Sequence, residues 1–327
     1  MTAEATSLPQ TAEMSRLTRS RGPRPGEGIF HGLTLLAVIA LVGSMLGIIV
    51  LLAFQSWPAF QHFGIGFIWG NTWNPVTEVF GARAPVLGTL ITAGLAMLIG
   101  VPLAFGVIFF LSELCPYKLR TPLTVAIELL AAVPSIVYGI WGLFVLAPFM
   151  AAYVEPALYT VFNEIPIIGD LFDGAPLGIG MLTASLVLAV MVLPYIVAVG
   201  RQVIANVPPM LREAAFGVGA TRWEVFSKVL VPYASRGLLG GIMLGLGRAL
   251  GETMAVTFVI GNAHKIAVSL FAPGTTISAT LANEFTEATG DLYVSSLLAL
   301  GFILFVITFI VLAAARYMLS RGAQEVR

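Results

Sequence analysis

Residues 86–111 read VLGTLITAGLAMLIGVPLAFGVIFFL, a run without a single charged side chain. A helix that crosses the roughly 30 Å hydrocarbon layer of a bilayer needs about 20 mostly apolar residues, so this run predicts a transmembrane helix. Similar runs occur at five other places, 29–54, 123–149, 177–199, 238–260 and 294–315. Alternating segments of about ten residues, which would indicate a transmembrane barrel, are absent from the sequence. The sequence therefore predicts an all-α integral membrane protein with six transmembrane helices.

The composition of the whole chain agrees with this fold class. Of its 327 residues, 58% are hydrophobic and 10% are charged, whereas soluble domains carry about 25% charged residues. A water-soluble globule and a disordered chain are therefore both excluded, and the lipid membrane is the expected surroundings. The 17 basic and 17 acidic residues balance, which gives no reason to expect a nucleic-acid partner. Cys115 is the single cysteine, so no internal disulfide can form.

Lys and Arg residues fall mainly on one side of the predicted spans. That side comprises the two tails and the connections after the second and fourth spans, while the other side carries Arg83 and Lys265 alone. Because cytoplasmic segments carry the excess of Lys and Arg, both termini are expected in the cytoplasm. The predicted organisation is a disordered tail over 1–28, a transmembrane domain over 29–319 that includes a cytoplasmic loop at 200–237, and a C-terminal tail over 320–327.

The sequence lacks the usual signatures of catalysis. None of the three lysines follows a glycine, as a phosphate-binding P-loop would require, and there is no Gly-x-Ser-x-Gly nucleophile motif. The three histidines lie far apart, so they form no helical metal-binding pair. We therefore expect no catalytic residue, no metal and no cofactor. A channel, a secondary transporter or a non-catalytic subunit of a pump remains.

The loop at 200–237 has strong local signals for ordered structure. Pro208-Pro209 can open a helix, and Gly217 and Gly219 are suited to end it. Thr221 followed by Glu224 at three residues forms a capping box for a second helix. That helix has an apolar stripe formed by Trp223, Phe226 and Val229. Such a loop either docks a partner protein or lies on the lipid surface.

Three charged residues lie inside the predicted spans, where a charge costs about 2.5–3.5 kcal/mol on insertion scales. Arg248 and Glu252 are in the fifth span, with Arg248 near its middle, and Glu128 is in the third. Helical projection places each on a stripe of small residues, which predicts that these faces point into the bundle. The two stripes are Gly237, Gly241, Gly245, Arg248, Glu252 and Ala255, and Glu128, Ala132, Ser135, Gly139 and Gly142.

Two interpretations of Arg248 and Glu252 remain open on these grounds. The residues are four apart and can neutralise each other as a structural pair. Alternatively, Arg248 lends positive charge to an anion path and Glu252 moderates it, because a planar guanidinium matches phosphate or sulfate oxygens two at a time.

The loop resembles the signature segment of type I ATP-binding-cassette importer permeases. In that family the segment is a coupling helix that sits in a cleft of the partner ATPase. The resemblance implies that Glu213 and Gly219 make this contact, within a coupling segment over 206–232 that also includes Ala214, Ala215 and Trp223. Val229 and Val231 stand where the family form has Ile and Leu. The matching run is Glu213-Ala214-Ala215, then Gly219, then Val229-Leu230-Val231-Pro232.

Two further runs, 128–139 and 247–256, resemble the PstC family of permeases from high-affinity phosphate importers. The sister PstA family has a region similar to 247–256, and the 128–139 run favours the PstC family. This resemblance implies a bacterial plasma (inner) membrane protein that forms half of a phosphate pathway beside a PstA-like second permease. It also implies two PstB-like ATPase subunits and a PstS-like external phosphate-binding protein. The resemblance implies transport roles for Arg248 and Glu252, and the stripe of the third span adds Glu128 and Ser135 as expected pathway residues.

Two alternatives to a phosphate permease are kept. One is a permease of the same type for another oxyanion, such as sulfate or molybdate. The other is a secondary anion transporter or a channel. Secondary transporters commonly contain repeated halves, and no second copy of the fifth-span motif occurs in the sequence.

Overall fold

The computed structural model describes residues 25–166 and 168–322, and this part of the chain is almost entirely helical. Residues 1–24 of the expected tail over 1–28 and residues 323–327 of the expected tail over 320–327 lie outside the described residues, and the expected disorder over 25–28 is wrong because these residues begin a helix. The α-helices are α1 (Pro25–Phe63), α2 (Gly66–Trp69), α3 (Arg83–Phe109), α4 (Tyr117–Ala132), α5 (Ser135–Trp141), α6 (Ala147–Phe149), α7 (Glu155–Phe162), α8 (Ile168–Leu171), α9 (Met181–Ala205), α10 (Pro209–Gly217), α11 (Arg222–Glu224), α12 (Val231–Gly251), α13 (Met254–Val259), α14 (Ile277–Glu284) and α15 (Asp291–Gly322). Four π-helical segments join some of them, at Phe110–Leu114, Gly142–Leu146, Met150–Val154 and Val225–Leu230.

Six helical stretches in the described residues are long and apolar enough to cross a membrane, which confirms the predicted number of spans. Their bounds differ from the predicted ones at several ends. The six stretches are Gly28–Phe63, Arg83–Leu114, Ser135–Phe162, Met181–Ala205, Arg222–Gly251 and Asp291–Tyr317.

The chain divides into two compact units, residues 1–51 and 52–327. The described part of the first unit is the N-terminal portion of α1. Its large apolar side chains are exposed, as at Leu33, Ile39 and Leu46. A contiguous apolar surface of this kind is stable only where lipid or another protein covers it.

The predicted third span, 123–149, is wrong in its bounds. Helix α4 ends at Ala132, Val133 is extended (φ −64°, ψ 129°), and the membrane-length stretch begins at Ser135. The cause is Pro134, which has no N–H and disfavours helical backbone in the preceding residue. Glu128 therefore lies in α4, before the membrane-length stretch.

The predicted fifth span, 238–260, is not one continuous helix. Helix α12 ends at Gly251, Glu252 is extended (φ −69°, ψ 132°), and α13 begins at Met254. The Glu252 Oε1 atom accepts a hydrogen bond from the Ala255 N–H at 3.4 Å, so its side chain caps the next helix. Arg248 consequently lies in the last turn of α12, not in the middle of an unbroken span.

Helix α9 forms the centre of the second unit. In its most apolar window 61% of the residues are buried, against 22–28% for the other spans of this unit. It packs against α3 on one side and α12 on the other. A Cβ atom at Gly241 would lie 3.2 Å from Val199, and one at Gly245 would lie 2.9 Å from Ile196. The glycine stripe of α12 therefore faces another helix, as predicted, and sets the close approach to α9.

The N-terminal part of α3 is tied to the start of α14 and to the residues just before it. The Thr89 hydroxyl accepts a hydrogen bond from the Ile277 N–H at 3.0 Å. Gly88 lies so close to the Thr275 carbonyl that a Cβ atom there could not be accommodated. This end of the helix is fixed by direct backbone contact.

Candidate functional site

The two helix interruptions lie at a tight contact between neighbouring elements. Helix α5, which follows the first interruption, packs against α13, which follows the second. A Cβ atom at Gly139 would come within 2.8 Å of the Phe258 ring and 3.1 Å of the Ala255 Cα atom. The small residue at Gly139 therefore permits this packing, and the predicted inward direction of Gly139 is confirmed.

Arg248 and Glu252 form the predicted pair next to the second interruption. The Arg248 Nη2 atom lies 3.8 Å from the Glu252 Oε2 atom, and the exposed fractions of their side chains are 33% and 6%. The Arg248 Nε atom is buried and has no hydrogen-bond partner among the described residues. A cation in the last turn of α12 and an anion before α13 also suit the dipoles of the two helices.

This region also contains two tyrosines, Tyr195 and Tyr138, that no sequence pattern indicated. The Arg248 Cζ atom lies 4.7 Å from the centre of the Tyr195 ring, a cation–π arrangement. The Tyr195 hydroxyl donates to the Ala131 carbonyl at 2.7 Å, and the Tyr138 hydroxyl donates to the Leu130 carbonyl at 2.8 Å. These carbonyls belong to the turn that Pro134 interrupts, so the tyrosines satisfy backbone groups that the break leaves available.

A cavity of about 500 Å³ lies beside this pair. Arg248 and Glu252 are its charged lining residues within the described chain, and apolar side chains and glycines form most of the remaining wall. The lining residues are Tyr195, Met243, Leu244, Gly247, Arg248, Gly251, Glu252 and Leu312. A guanidinium with unused N–H groups in a mostly apolar wall can bind a small oxyanion, and the nearby carboxylate weakens that binding so that the anion can leave.

Glu128 and Ser135 take different places from those expected. The Glu128 side chain is 50% exposed, and its Oε1 atom lies 3.1 Å from Arg201 Nη2. The Glu128 carboxylate therefore faces Arg201 of the central helix α9, while half of its side chain is exposed in the single chain. Ser135 is half-buried at the first position of α5. The roles of both residues in transport stay predictions.

The loop at 200–237 contains the predicted short helix, glycine corner and capped second helix. Pro209 opens α10, which ends at Gly217, and Gly219 has a φ of +87° that other residues rarely adopt. The Thr221 hydroxyl accepts from the Glu224 N–H at 3.3 Å, and the Glu224 carboxylate accepts from the Thr221 N–H at 3.0 Å. The second helix is not separate from the fifth span, because the π-helical segment Val225–Leu230 joins α11 to α12.

The loop presents a continuous exposed surface around its corner. Glu213, Ala214 and Gly219 are exposed, and the apolar side chains of Met210 and Val218 are 77% and 87% exposed. Two other residues of the expected coupling segment are anchored to the protein: Ala215 packs half-buried against the core, and the Trp223 ring lies 5.1 Å from that of Phe109. The expected contact residues are therefore available on a supported surface.

Glu113, at the C-terminal end of the second span, ties this loop to α3. Its side chain is 5% exposed, and its Oε1 atom lies 3.1 Å from Arg212 Nη2 of α10. Its backbone carbonyl accepts from Arg222 Nη1 at 2.9 Å. Both parts of the loop are therefore bonded to one residue of a membrane-spanning stretch, a link that no sequence spacing indicated.

A second polar cluster surrounds Glu284 at the opposite end of the protein. The Glu284 carboxylate accepts hydrogen bonds from the Trp73 indole and the Tyr293 hydroxyl, and its Oε1 atom lies 2.7 Å from His264 Nε2. Burial raises the pKa of Glu284, but the hydrogen bonds from His264, Tyr293 and Trp73 outweigh burial and hold its pKa below the ordinary value. The cluster joins the 70–82 loop to α14 and α15.

Comparison with known proteins identifies the class of this architecture. A sequence profile of the family described as binding-protein-dependent transport system inner membrane component matches residues 116–322. The chain belongs to this family. It is therefore a multi-pass, non-catalytic membrane component that works with an ATPase and an external binding protein.

Curated relatives of this family match over most of the chain. The phosphate transport system permease protein PstC of Mesorhizobium japonicum is 57% identical over 295 residues, which cover 90% of both chains. PstC of Pasteurella multocida is 54% identical, with 83% of this chain and 84% of that protein covered. PstC of Haemophilus influenzae is 48% identical, with 91% and 94% covered.

Solved structures agree on the fold. A bacterial alginate ABC transporter in complex with an alginate-bound periplasmic protein matches with a TM-score of 0.59 and 16% identity, covering 91% of this chain and 96% of that one. This likeness supports the permease fold alone.

Proposed function

We propose that this chain is a permease subunit of an ATP-driven phosphate importer and forms half of its anion pathway. The observation that carries the proposal is the 48–57% identity to three phosphate permeases over most of the chain. The Arg248–Glu252 pair beside its cavity supplies a matching chemistry, because a guanidinium is suited to phosphate oxygens.

In this proposal the anion passes Arg248 in a partly dehydrated state. The Arg248 guanidinium and the Tyr195 ring lie at the interruption between α12 and α13. The partly exposed N–H groups of this guanidinium can replace water molecules around phosphate. Glu252 keeps the local charge close to neutral, so the anion is bound weakly enough to move on. Glu128 and Ser135 are proposed to contact the pathway in the assembled permease pair.

Energy is proposed to enter through the coupling segment. Glu213, Ala214 and Gly219 offer an exposed polar and small-residue surface, flanked by the exposed Met210 and Val218 side chains. A surface with this mixture of apolar anchors and a rigid corner is suited to a cleft in an ATPase. Ala215 and Trp223 fasten the segment to the membrane domain, so movement of the ATPase is transmitted to the spans.

The proposed assembly contains a second, PstA-like permease, two PstB-like ATPase subunits and an external PstS-like phosphate-binding protein. The proposed location is the bacterial inner membrane with both termini in the cytoplasm. The excess of Lys and Arg in the tails and in the 200–237 loop supports this orientation.

The test of the pathway role replaces both members of the charged pair, Arg248→Met with Glu252→Met. We expect the assembled complex to bind ATP and lose phosphate uptake, because the cation that attracts the anion is gone. Arg248→Lys should keep part of the uptake, since lysine keeps the charge and loses the planar fork. Arg236→Met, which removes an exposed arginine of α12, is the control.

Near-normal uptake by the assembled double variant would show that the pair is structural. Competition of sulfate or molybdate with labelled phosphate in the wild-type complex separates the phosphate permease from the other oxyanion permeases.

A further inference from the structure

We propose that a second anion site, specific for a phosphate group, lies between the coupling helix α10 and the cytoplasmic ends of α3, α4 and α9. The proposal rests on the proposed function for the side of the membrane and for the availability of phosphate there. The site is a cavity of about 410 Å³, separate from the one beside Arg248. Its lining residues are Leu111, Ser112, Arg120, Arg201, Ile204, Ala205, Val207, Pro209, Arg212 and Glu213.

Three arginines from three different helices line this cavity. Arg120 comes from α4, Arg201 from α9 and Arg212 from α10. Guanidinium groups repel one another, so their convergence on one space needs anions to offset it. Glu128 pairs with Arg201 and Glu113 pairs with Arg212, and Glu213 is the acidic lining residue within the described chain. Arg120, which donates to the Ser112 carbonyl, has no ion-pair partner among the described residues.

The existing partners leave most of the donor capacity of these arginines unused. Arg120 Nη2 donates to the Ser112 carbonyl at 3.0 Å, Arg201 Nη2 lies 3.1 Å from Glu128, and Arg212 Nη2 lies 3.1 Å from Glu113. Each guanidinium carries five N–H groups, so these contacts use a minority of them. The Arg120 Nε atom is buried and has no hydrogen-bond partner among the described residues.

A phosphate group is the ligand class that this arrangement fits best. It brings several acceptor oxygens and up to two negative charges, and arginine forks bind such oxygens in pairs. The first turn of α10, which begins at Pro209, also borders the cavity and adds the favourable N-terminal end of a helix dipole. A carboxylate or chloride would satisfy fewer of the available donors.

The phosphate group could be free inorganic phosphate or the headgroup of an anionic lipid. The cavity is larger than a single phosphate ion, and Leu111, Ile204 and Val207 give part of its wall an apolar character. Both sources share the chemistry that the arginines recognise, so the experiment separates them.

The experiment uses the complete complex of permeases and ATPases in nanodiscs of zwitterionic lipid, without ATP or the external binding protein. Equilibrium dialysis with radiolabelled inorganic phosphate compares the wild type with Arg120→Gln/Arg201→Gln. Arg236→Gln, which removes an exposed arginine outside the cavity, is the matched control. We expect the double variant to bind phosphate about tenfold more weakly or worse, because two charge-assisted donors are lost, and the control to match the wild type.

A second arm repeats the comparison with phosphatidylglycerol in the nanodiscs and measures retained lipid by native mass spectrometry. Lipid that is retained by the wild type and lost from the double variant supports the site with a lipid headgroup as its occupant. Equal binding of both phosphate and lipid by wild type and double variant overturns the proposal. If the double variant fails to assemble, Arg120→Lys serves instead: weaker binding than the wild type supports the site, and unchanged binding of both ligands overturns it.

Uptake assays on the wild type keep this result distinct from the proposed function. A complex that imports phosphate but shows no arginine-dependent binding refutes the second site alone. A complex that shows this binding but imports no phosphate refutes the proposed function alone.

Discussion

Two neighbouring groups lower the cost of the Arg248 charge. A charge placed at membrane depth costs about 2.5–3.5 kcal/mol on insertion scales. The Tyr195 ring at 4.7 Å contributes about 0.5–2 kcal/mol as a cation–π partner, and Glu252 at 3.8 Å offsets a further part. A third of the Arg248 side chain is exposed, so the guanidinium retains N–H groups for an added anion.

Substitutions at Tyr195 separate its ring from its hydroxyl. Tyr195→Phe keeps the ring beside Arg248 and removes the hydrogen bond to the Ala131 carbonyl, so we expect near-normal uptake and a complex destabilised by about 1 kcal/mol. Tyr195→Leu removes both and should also reduce uptake several-fold. Uptake by reconstituted complexes and thermal unfolding measure the two effects. Equal uptake by the two variants would contradict a role for the ring.

The polar cluster around Glu284 predicts a defined response to acid. The folded-state pKa of Glu284 lies below the ordinary value of 4.5, so its stabilising contribution is fully present above pH 4.5 and is lost as the pH falls through the folded-state pKa. Glu284→Gln should lower the thermal midpoint at pH 7, and the difference from the wild type should shrink below pH 4.5. Glu287→Gln, an exposed neighbour, is the control. A pH-independent difference would refute the electrostatic explanation.

The sequence predicted the charged pair of the pathway region but not the two tyrosines beside it. Arg248 and Glu252 could be paired because they are four residues apart on one helix. Tyr195 and Tyr138 could not be assigned, since their contacts with Arg248 and with the carbonyls at 130 and 131 depend on how separate helices pack. The ion pair of Glu128 with Arg201 could not be assigned for a related reason, because it joins the separate helices α4 and α9.

Among the elements, the coupling segment was predicted well because its signals are local. The helix start at Pro209, the corner at Gly219 and the capping box at Thr221 each depend on residues within a few positions. The interruptions at Pro134 and Glu252 were missed, since both lie inside unbroken apolar runs in which hydropathy outweighed the signs of a break.

The glycine corner of the coupling segment provides a matched pair of substitutions. Gly217 and Gly219 both have open space where a Cβ atom would go, but Gly219 alone of the two has a positive φ, +87°. Gly219→Ala should therefore strain the corner by about 1–2 kcal/mol, while Gly217→Ala should be neutral or slightly stabilising. Titration of the ATPase against membranes that contain each variant should show weaker association for Gly219→Ala only. Equal association would show that the corner geometry is not needed for docking.

At the scale of the whole molecule, hydropathy and charge were sufficient to predict six spans and a topology. They could not predict that α9 is central, because its mean hydropathy of 2.4 equals that of Arg83–Leu114 and is below the 3.0 of Asp291–Tyr317, and burial depends on packing. The fold in three dimensions thus required contacts such as those of Gly241 and Gly245 with α9.

The proposed topology can be checked with single cysteines. Val218 and Val268 are 87% and 68% exposed and lie on opposite sides in the proposed orientation, and the native Cys115 is only 6% exposed. In a Cys115→Ala background, Val268→Cys should react with an impermeant maleimide in intact cells, and Val218→Cys should react only after permeabilisation. The reverse pattern would place the termini outside.

The bonds at the two ends of α3 have a mechanical consequence. Its 27 residues span about 40 Å, and the helix is continuous through Pro102, which removes one of its hydrogen bonds. One end continues to Glu113, which pairs with Arg212 and accepts a hydrogen bond from Arg222 of the coupling segment. Near the other end, the Thr89 hydroxyl accepts a hydrogen bond from the Ile277 N–H. The helix therefore acts as a strut. A displacement of the coupling segment must either break the Glu113 contacts or be transmitted along α3 to the segment that carries Glu284.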